Sequence, residues 1–453
     1  MAWASIQAIC GIVLGLVVGA QFEVGTVIGA AAQKLVGYYE LAAPVLVFSI
    51  LGPSILRLLR HERAELQRFS VFAVAWFSLL RLCVCVVAAL VIALIYGLPL
   101  GTGPSPATST PINREFLLSL AENRYLATFG LACLCAYLLR NLDGPWVDRF
   151  LRLPDAIEAA GNFLTRLTAP FGFLVGVYII SLPDILLTSS RQIGDAALQP
   201  LVFGWFQFET STASGLMSAY LAVSALTAGL CLALHGTLVA WARLRIPGFT
   251  IRGYLQGYLL RVYPLIWSTG AESLAIPTNL ATLRRYGRGI PDALRDLTVG
   301  LAATLNLNGS LICSLVLVPA VCATIGHPLP LAAFLACLPV VFVLGYAIPG
   351  IPGELIVFAD PLAQALGISG GERDLFLLLF LGWQIGLTDA FRSAGSATDA
   401  VPSTLLLTNA YRRRYGVATM QEAVLSGNPS IRLSSNSAVI AGDNFTEGGR
   451  GGG

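Results

Sequence analysis

Charge is scarce in these 453 residues. Asp, Glu, Lys and Arg make up 12% of the chain, against about 25% in a soluble globular domain, so water does not solvate most of its surface. Lysine is nearly absent, Lys34 being the only one, and the net charge is +3. That balance excludes a nucleic-acid partner. The three histidines, His61, His235 and His327, stand far apart, and none is read as a ligand. The nine cysteines lie mostly inside apolar runs without a CxxC pair or a Cys/His cluster, so they read as small buried hydrophobes. No HExxH, GxSxG or paired-aspartate signature is present, which speaks against an intramembrane enzyme. No cofactor is expected; the expected partners are a lipid bilayer and a small-molecule solute.

Hydrophobic residues, in contrast, make up 56% of the chain. About 20 apolar residues cross a bilayer. The expected fold is all-α and polytopic, with eight transmembrane helices at roughly 4–32, 35–59, 69–97, 116–140, 162–188, 213–242, 297–325 and 373–410. Two further apolar segments are interrupted by Gly and Pro: 255–290 around Ser268–Pro277, and 329–370 around Ala347–Gly353. They read as re-entrant helical hairpins, each entering and leaving by one face. Arginine clusters follow the second, fourth, sixth and last spans, while 98–112 carries no charge. The positive-inside rule then places both termini in the cytoplasm, with the cell inner membrane as the site. The tail 416–453 is expected to be disordered, its last stretch being polar and rich in Gly, Ser and Asn.

Glycine, proline and paired amides are costly inside a bilayer, where no water satisfies freed backbone groups. Asn306-Leu-Asn-Gly-Ser310 and Gly350-Ile-Pro-Gly353 are such places. Broken helices near mid-membrane are how many secondary transporters build a solute site. The chain therefore reads as a carrier.

At these residues the chain resembles the dicarboxylate/amino acid:cation symporters, the glutamate-transporter family. Ala303-Thr-Leu-Asn-Leu-Asn-Gly-Ser310 is similar to that family's Ala-Thr-Ile-Asn-Met-Asp-Gly-Thr in the seventh span. Gly350-Ile-Pro-Gly353 is similar to the Gly-Val-Pro-Gly tip of its second hairpin, and Asp389-Ala-Phe-Arg392-Ser393 to Asp-x-x-Arg-Thr in its eighth span. Ser268-Thr269, Ser273 and Ile276-Pro277 resemble a worn serine-rich tip of the first hairpin. The likeness runs in order over roughly 1–415.

The resemblance implies a homotrimer in which a rigid scaffold holds a transport domain that moves as an elevator. Scaffold helices would occupy 1–67 and 98–210. Span three (68–97) and span six (211–252) would attach to the transport side, and the core of the moving domain would be 253–415. Arg392 would hold a side-chain carboxylate of an acidic amino acid or dicarboxylate, and its planar fork suits that group bidentately. The alternative is a structural ion pair with Asp389, three residues away on the same helical face. Asp389 would bind a substrate amino group. Ser310, Ser393 and Ser396 would lie near the solute, together with Ser273, Ile351, Pro352 and Gly353 at the tips. Serine in a membrane helix often only bonds its own backbone.

For the coupling cation the resemblance points to Thr304, Asn306, Asn308 and Asp399. Asn308 replaces an aspartate, however, and Asp399 stands one position early, which is about 100° around a helix. The hydroxyl-rich stretch that helps bind sodium is not evident in Ala73–Leu82. Sodium or proton coupling both stay open. The tips gain Glu272 and Glu354, which have three readings: proton carriers, partners of a cationic group, or side chains turned to water or to arginines such as Arg261 and Arg284. Two further functions stay open: a proton-coupled or uncoupled carrier of a zwitterionic or cationic solute, and a channel or sensor that binds solute without moving it.

Overall fold

The computed structural model describes residues 2–21, 64–100, 124–153, 168–193, 198–204, 206–270, 272–286, 301–302, 305–348 and 353–415, with short pieces at 48–49, 52–53, 55–56, 59–60 and 298–299. The expected second span falls almost wholly outside these residues, and the tail 416–453 entirely so.

The described residues are overwhelmingly helical. In chain order they form α1 (Ala2–Gln21), α2 (Ala64–Tyr96), α3 (Arg124–Leu139), α4 (Pro145–Leu151) and α5 (Thr168–Ile193). A short antiparallel ribbon follows, β1 (Leu201–Phe203) paired with β2 (Phe206–Phe208), which the sequence reading did not anticipate. Then come α6 (Ala213–Arg245), α7 (Ile251–Tyr254), a π turn at Leu255–Leu259, and α8 (Leu260–Thr269). A 3-10 turn at Glu272–Ala275 leads into α9 (Ile276–Tyr286) and α10 (Asn308–Ile325). The last elements are α11 (Leu331–Ala336), α12 (Leu338–Leu344), a 3-10 turn at Gly345–Ala347, α13 (Ile356–Ala365), α14 (Gly370–Gln384) and α15 (Leu387–Tyr415).

Arg68–Tyr96, Ala213–Arg245 and Asn308–Ile325 are long and apolar enough to cross a membrane. The pair α14 and α15 makes a fourth such unit if taken as one span, bent by 63°. That bend corrects the reading of 373–410 as one continuous span. The chain leaves helical geometry at Ile385, and Gly386 follows with a positive φ of 82°, so a new helix starts just before Asp389. The seventh span is likewise interrupted: Asn306 and Leu307 are non-helical, and α10 begins at Asn308.

Burial sorts the helices. Along α2, Val71, Leu79, Val87 and Leu94 are exposed while Phe69, Phe77, Ala89 and Ile92 are buried, a one-sided pattern suited to lipid on the outer face. Every residue of α10 except Ala323 and Ile325 is buried. Its Leu311, Leu315 and Val318 join Trp383 and Phe380 of α14 and Tyr220 of α6 in one apolar core. A second core joins the last turns of α6 and the middle of α15 with Tyr254, Tyr258 and Leu283 of the first interrupted segment.

Both interrupted segments fold back on themselves. In the first, Tyr258 donates to Asn279 Oδ1 at 2.5 Å, and a side chain added at Gly253 would meet the Tyr286 hydroxyl at 2.9 Å. In the second, α12 packs against α13. These two folded-back segments bring Glu272 and Gly353–Glu354 to the first turns of α15.

Candidate functional site: a buried arginine between two hairpin tips

Arg392 is fully buried, and four elements converge on it. Its Nε donates to Asp389 Oδ1 at 2.9 Å, and Nη2 contacts the same oxygen. Nη1 donates to Ser310 Oγ at 2.8 Å and to Glu272 Oε1 at 3.3 Å, and it also contacts Glu354 Oε1. Ser310 in turn donates to Glu354 Oε1 at 2.5 Å. The guanidinium thus touches its own helix, the start of α10 and both hairpin tips at once.

Each position has a local reason. Asp389 sits in the first turn of α15, one helical turn before Arg392, so the pair forms within a single helix. Ser310 lies in the first turn of α10, and Gly309 lets the backbones approach: a side chain there would meet the Arg392 carbonyl at 2.2 Å. The Gly309 N–H donates to Ser396 Oγ at 3.0 Å, which anchors the start of α10 to α15. At the second tip Gly353 adopts a φ of +74°, a conformation other residues rarely take. Its N–H donates to Asp389 Oδ2 at 3.3 Å and leaves Glu354 facing Arg392.

Electrostatics make the cluster unusual. One guanidinium meets three carboxylates, and with all four groups ionised the site carries a net charge of −2. Glu272, Glu354 and Asp389 are at most 6% exposed. This overturns the outward reading of the two tip glutamates: they turn in to Arg392, not to water or to Arg261 and Arg284. Removal of charges from water is expensive and is offset only by close pairing, which is why the three carboxylates gather on a single guanidinium.

The residues expected to hold a cation divide into two groups. Asn308 Nδ2 donates to Asn306 Oδ1 at 2.9 Å, and Asn306 Nδ2 donates to Ser403 at 3.4 Å. Asn308 Oδ1 and Ser393 Oγ are buried with no hydrogen-bond partner among the described residues. A side-chain amide oxygen of that kind is a hard ligand suited to sodium. Asp399 is elsewhere: its Oδ1 lies 2.9 Å from His235 Nδ1, consistent with its early register. Thr304, Ile351 and Pro352 lie outside the described residues, as does the side chain of Ser273.

Two partners escaped the sequence reading. His235, far from Asp399 along the chain, is brought beside it because α6 packs along α15. Arg81 of α2 is fully buried; its Nη2 donates to the Gly345 carbonyl at 2.8 Å, and its guanidinium lies 4.4 Å from the Tyr346 ring. A lone arginine within an apolar run was the available signal. A cavity of about 440 Å³ opens away from Arg392, among Ile246, Thr250, Arg285, Tyr286, Asn409 and Arg412.

Residues 200–409 match the profile of the sodium:dicarboxylate symporter family. The match covers a little under half of the chain and supports the resemblance carried by the sequence motifs. The match runs from the ribbon to near the end of α15 and contains every group around Arg392. No curated protein matches the chain. Together with the apolar helices, the match indicates a multi-pass membrane protein.

Proposed function

We propose that the chain is a secondary transporter that moves a small carboxylate-bearing solute, an acidic amino acid or a dicarboxylate, together with a coupling cation. The observation that carries this reading is the buried Arg392, whose side chain reaches α10 and both hairpin tips. A solute carboxylate on the guanidinium would join all of these elements. Asp389 lies 3.3 Å from the Gly353 amide and beside Arg392, placed for a solute ammonium group. Asn306 and Asn308 supply amide oxygens for the co-transported cation. The two tips act as gates on opposite sides of one site, with 253–415 the core of a body that moves as an elevator against scaffold helices from 1–67 and 98–210. The assembly is a homotrimer in the inner membrane with cytoplasmic termini.

A second reading is favoured by the carboxylates. Three acids on one arginine suit a solute with a positive end, or protons carried in place of sodium. Labelled aspartate, glutamate and succinate uptake into proteoliposomes, under a sodium gradient and separately a proton gradient, decides between them. Uptake driven by sodium supports the first reading. Proton-driven uptake whose pH dependence disappears in Glu272→Gln and Glu354→Gln supports proton carriage at the tips. The absence of acidic-solute uptake under either gradient would overturn the carboxylate assignment.

A further inference from the structure

We infer that Glu354 is a tethered stand-in for the solute carboxylate: it fills the guanidinium when no solute is bound, and solute binds by displacing it. The inference rests on the reading of Arg392 as the carboxylate site and names how that site is regulated.

Geometry singles out Glu354 among the three acids. Its Oε1 contacts Arg392 Nη1 and accepts from Ser310 Oγ at 2.5 Å, so one carboxylate oxygen is held by an arginine and a hydroxyl. Arg392 is the donor proposed for a solute carboxylate, and Ser310 is expected beside the solute. Asp389 cannot leave in the same way, because it is anchored one helical turn from Arg392 on α15. Glu272 contacts the guanidinium at 3.3 Å, and its other oxygen is buried without a partner among the described residues. Both tip glutamates sit on turns close to a left-handed glycine, Gly270 and Gly353, but only Glu354 accepts from Ser310 as well as contacting Arg392. It stands directly after Gly353 at φ +74° and two residues before α13 begins.

Charge requires an exchange, not an addition. A further carboxylate placed on a cluster of one guanidinium and three acids would add a fourth anion in a region that excludes water, where like charges at hydrogen-bonding distance repel strongly. Replacement of Glu354 keeps the count unchanged. The consequence concerns the return stroke. A carrier that moves only with its gates closed must close them again once solute has left. With Glu354 on Arg392 the second tip is latched to α10 and α15 without solute, so the unloaded carrier can return and accumulate solute.

The test is Glu354→Gln in the full-length protein, with two independent readouts. First, hydrogen exchange of the backbone amides at 353–358 is measured without solute. It should be at least about tenfold faster in the variant than in the wild type, since one charge-assisted bond that holds the tip is lost. Second, aspartate and succinate binding should tighten by roughly ten- to a hundredfold, the range for removing one charged competitor. In proteoliposomes the ratio of solute exchange to net uptake should rise about tenfold. Glu354→Asp, with its charge kept on a shorter arm, should fall between the two and guards against a folding defect. Unchanged exchange at 353–358 together with unchanged affinity would overturn the inference. If wild-type protein binds neither solute while the variant still frees the tip, the latch stands and the carboxylate reading fails.

Discussion

Asp399 meets His235 at 2.9 Å, and the two are 164 residues apart in the chain. Ser224 and Thr388, 2.6 Å apart, have the same separation, as do the Arg245 carbonyl and the Asn409 amide that donates to it at 3.3 Å. The helices α6 and α15 therefore run in the same direction and stay in step along the whole contact. With Asp399 ionised, His235 carries its proton on Nδ1, which leaves Nε2 to accept from Tyr254 Oη at 3.4 Å. The pair works as a clasp that fixes the rotation of α15 and hence the direction in which Arg392 points.

Removal of one side of a buried pair strands the other. Asp399→Ala and His235→Ala should each lower thermal stability, with a coupling of about 1–3 kcal/mol in a double-mutant cycle. Additive losses in that cycle, read from unfolding in detergent, would show that the two side chains act separately.

Gly309 sets how closely α10 approaches α15. Gly309→Ala places a carbon 2.2 Å from the Arg392 carbonyl and 2.8 Å from Ser396 Oγ, so one helix must shift at a cost of about 1–3 kcal/mol. Solute affinity should fall with stability, because Ser310 moves with it. Gly130→Ala in α3, where an added carbon meets nothing within 4 Å, is the control and should be close to neutral. Equal effects at the two sites would contradict the close-packing argument.

Much of this site was legible before any coordinates. Resemblance to the glutamate-transporter family points to Asp389, Arg392, Ser310, Glu272 and Glu354, and the structure brings these five side chains together. A charge or a glycine in an apolar run is visible in sequence. What stayed hidden is non-local. The His235–Asp399 pair depends on two helices packing in step across 164 residues. The inward turn of Glu354 depends on the φ of Gly353. The break at Ile385–Gly386 was masked because its flanks are apolar on both sides. The β1–β2 ribbon, only three residues per strand, was too short for alternation to register.

Arg81 should matter to the second hairpin. Arg81→Ala removes the donor to the Gly345 carbonyl and the guanidinium that lies over Tyr346. Loss of the partner of a buried carbonyl costs about 1–3 kcal/mol. Arg81→Gln keeps a donor and should recover part of that loss. Thermal unfolding of both variants checks this; equal loss in the two would mean that the hydrogen bond to Gly345 contributes nothing.

Ser310→Ala removes the hydroxyl shared by Arg392 and Glu354. In the Glu354→Gln background, where the charged competitor is gone, solute affinity should fall roughly tenfold, as for one hydrogen bond to a charged group, while Ser310→Thr should restore it. Equilibrium binding of aspartate or succinate measures both; an unchanged Ser310→Ala would remove this hydroxyl from the solute site.

The most direct measurement compares Arg392→Ala with the wild type in proteoliposomes, reading cation-gradient-driven uptake of labelled aspartate and succinate, with size-exclusion elution of each protein as the folding control. If Arg392 is the carboxylate site, the variant elutes as the wild type does and gradient-driven uptake falls to background. Uptake at the wild-type rate in Arg392→Ala would contradict the assignment, and the cluster between the hairpin tips would then be an ion-pair network alone.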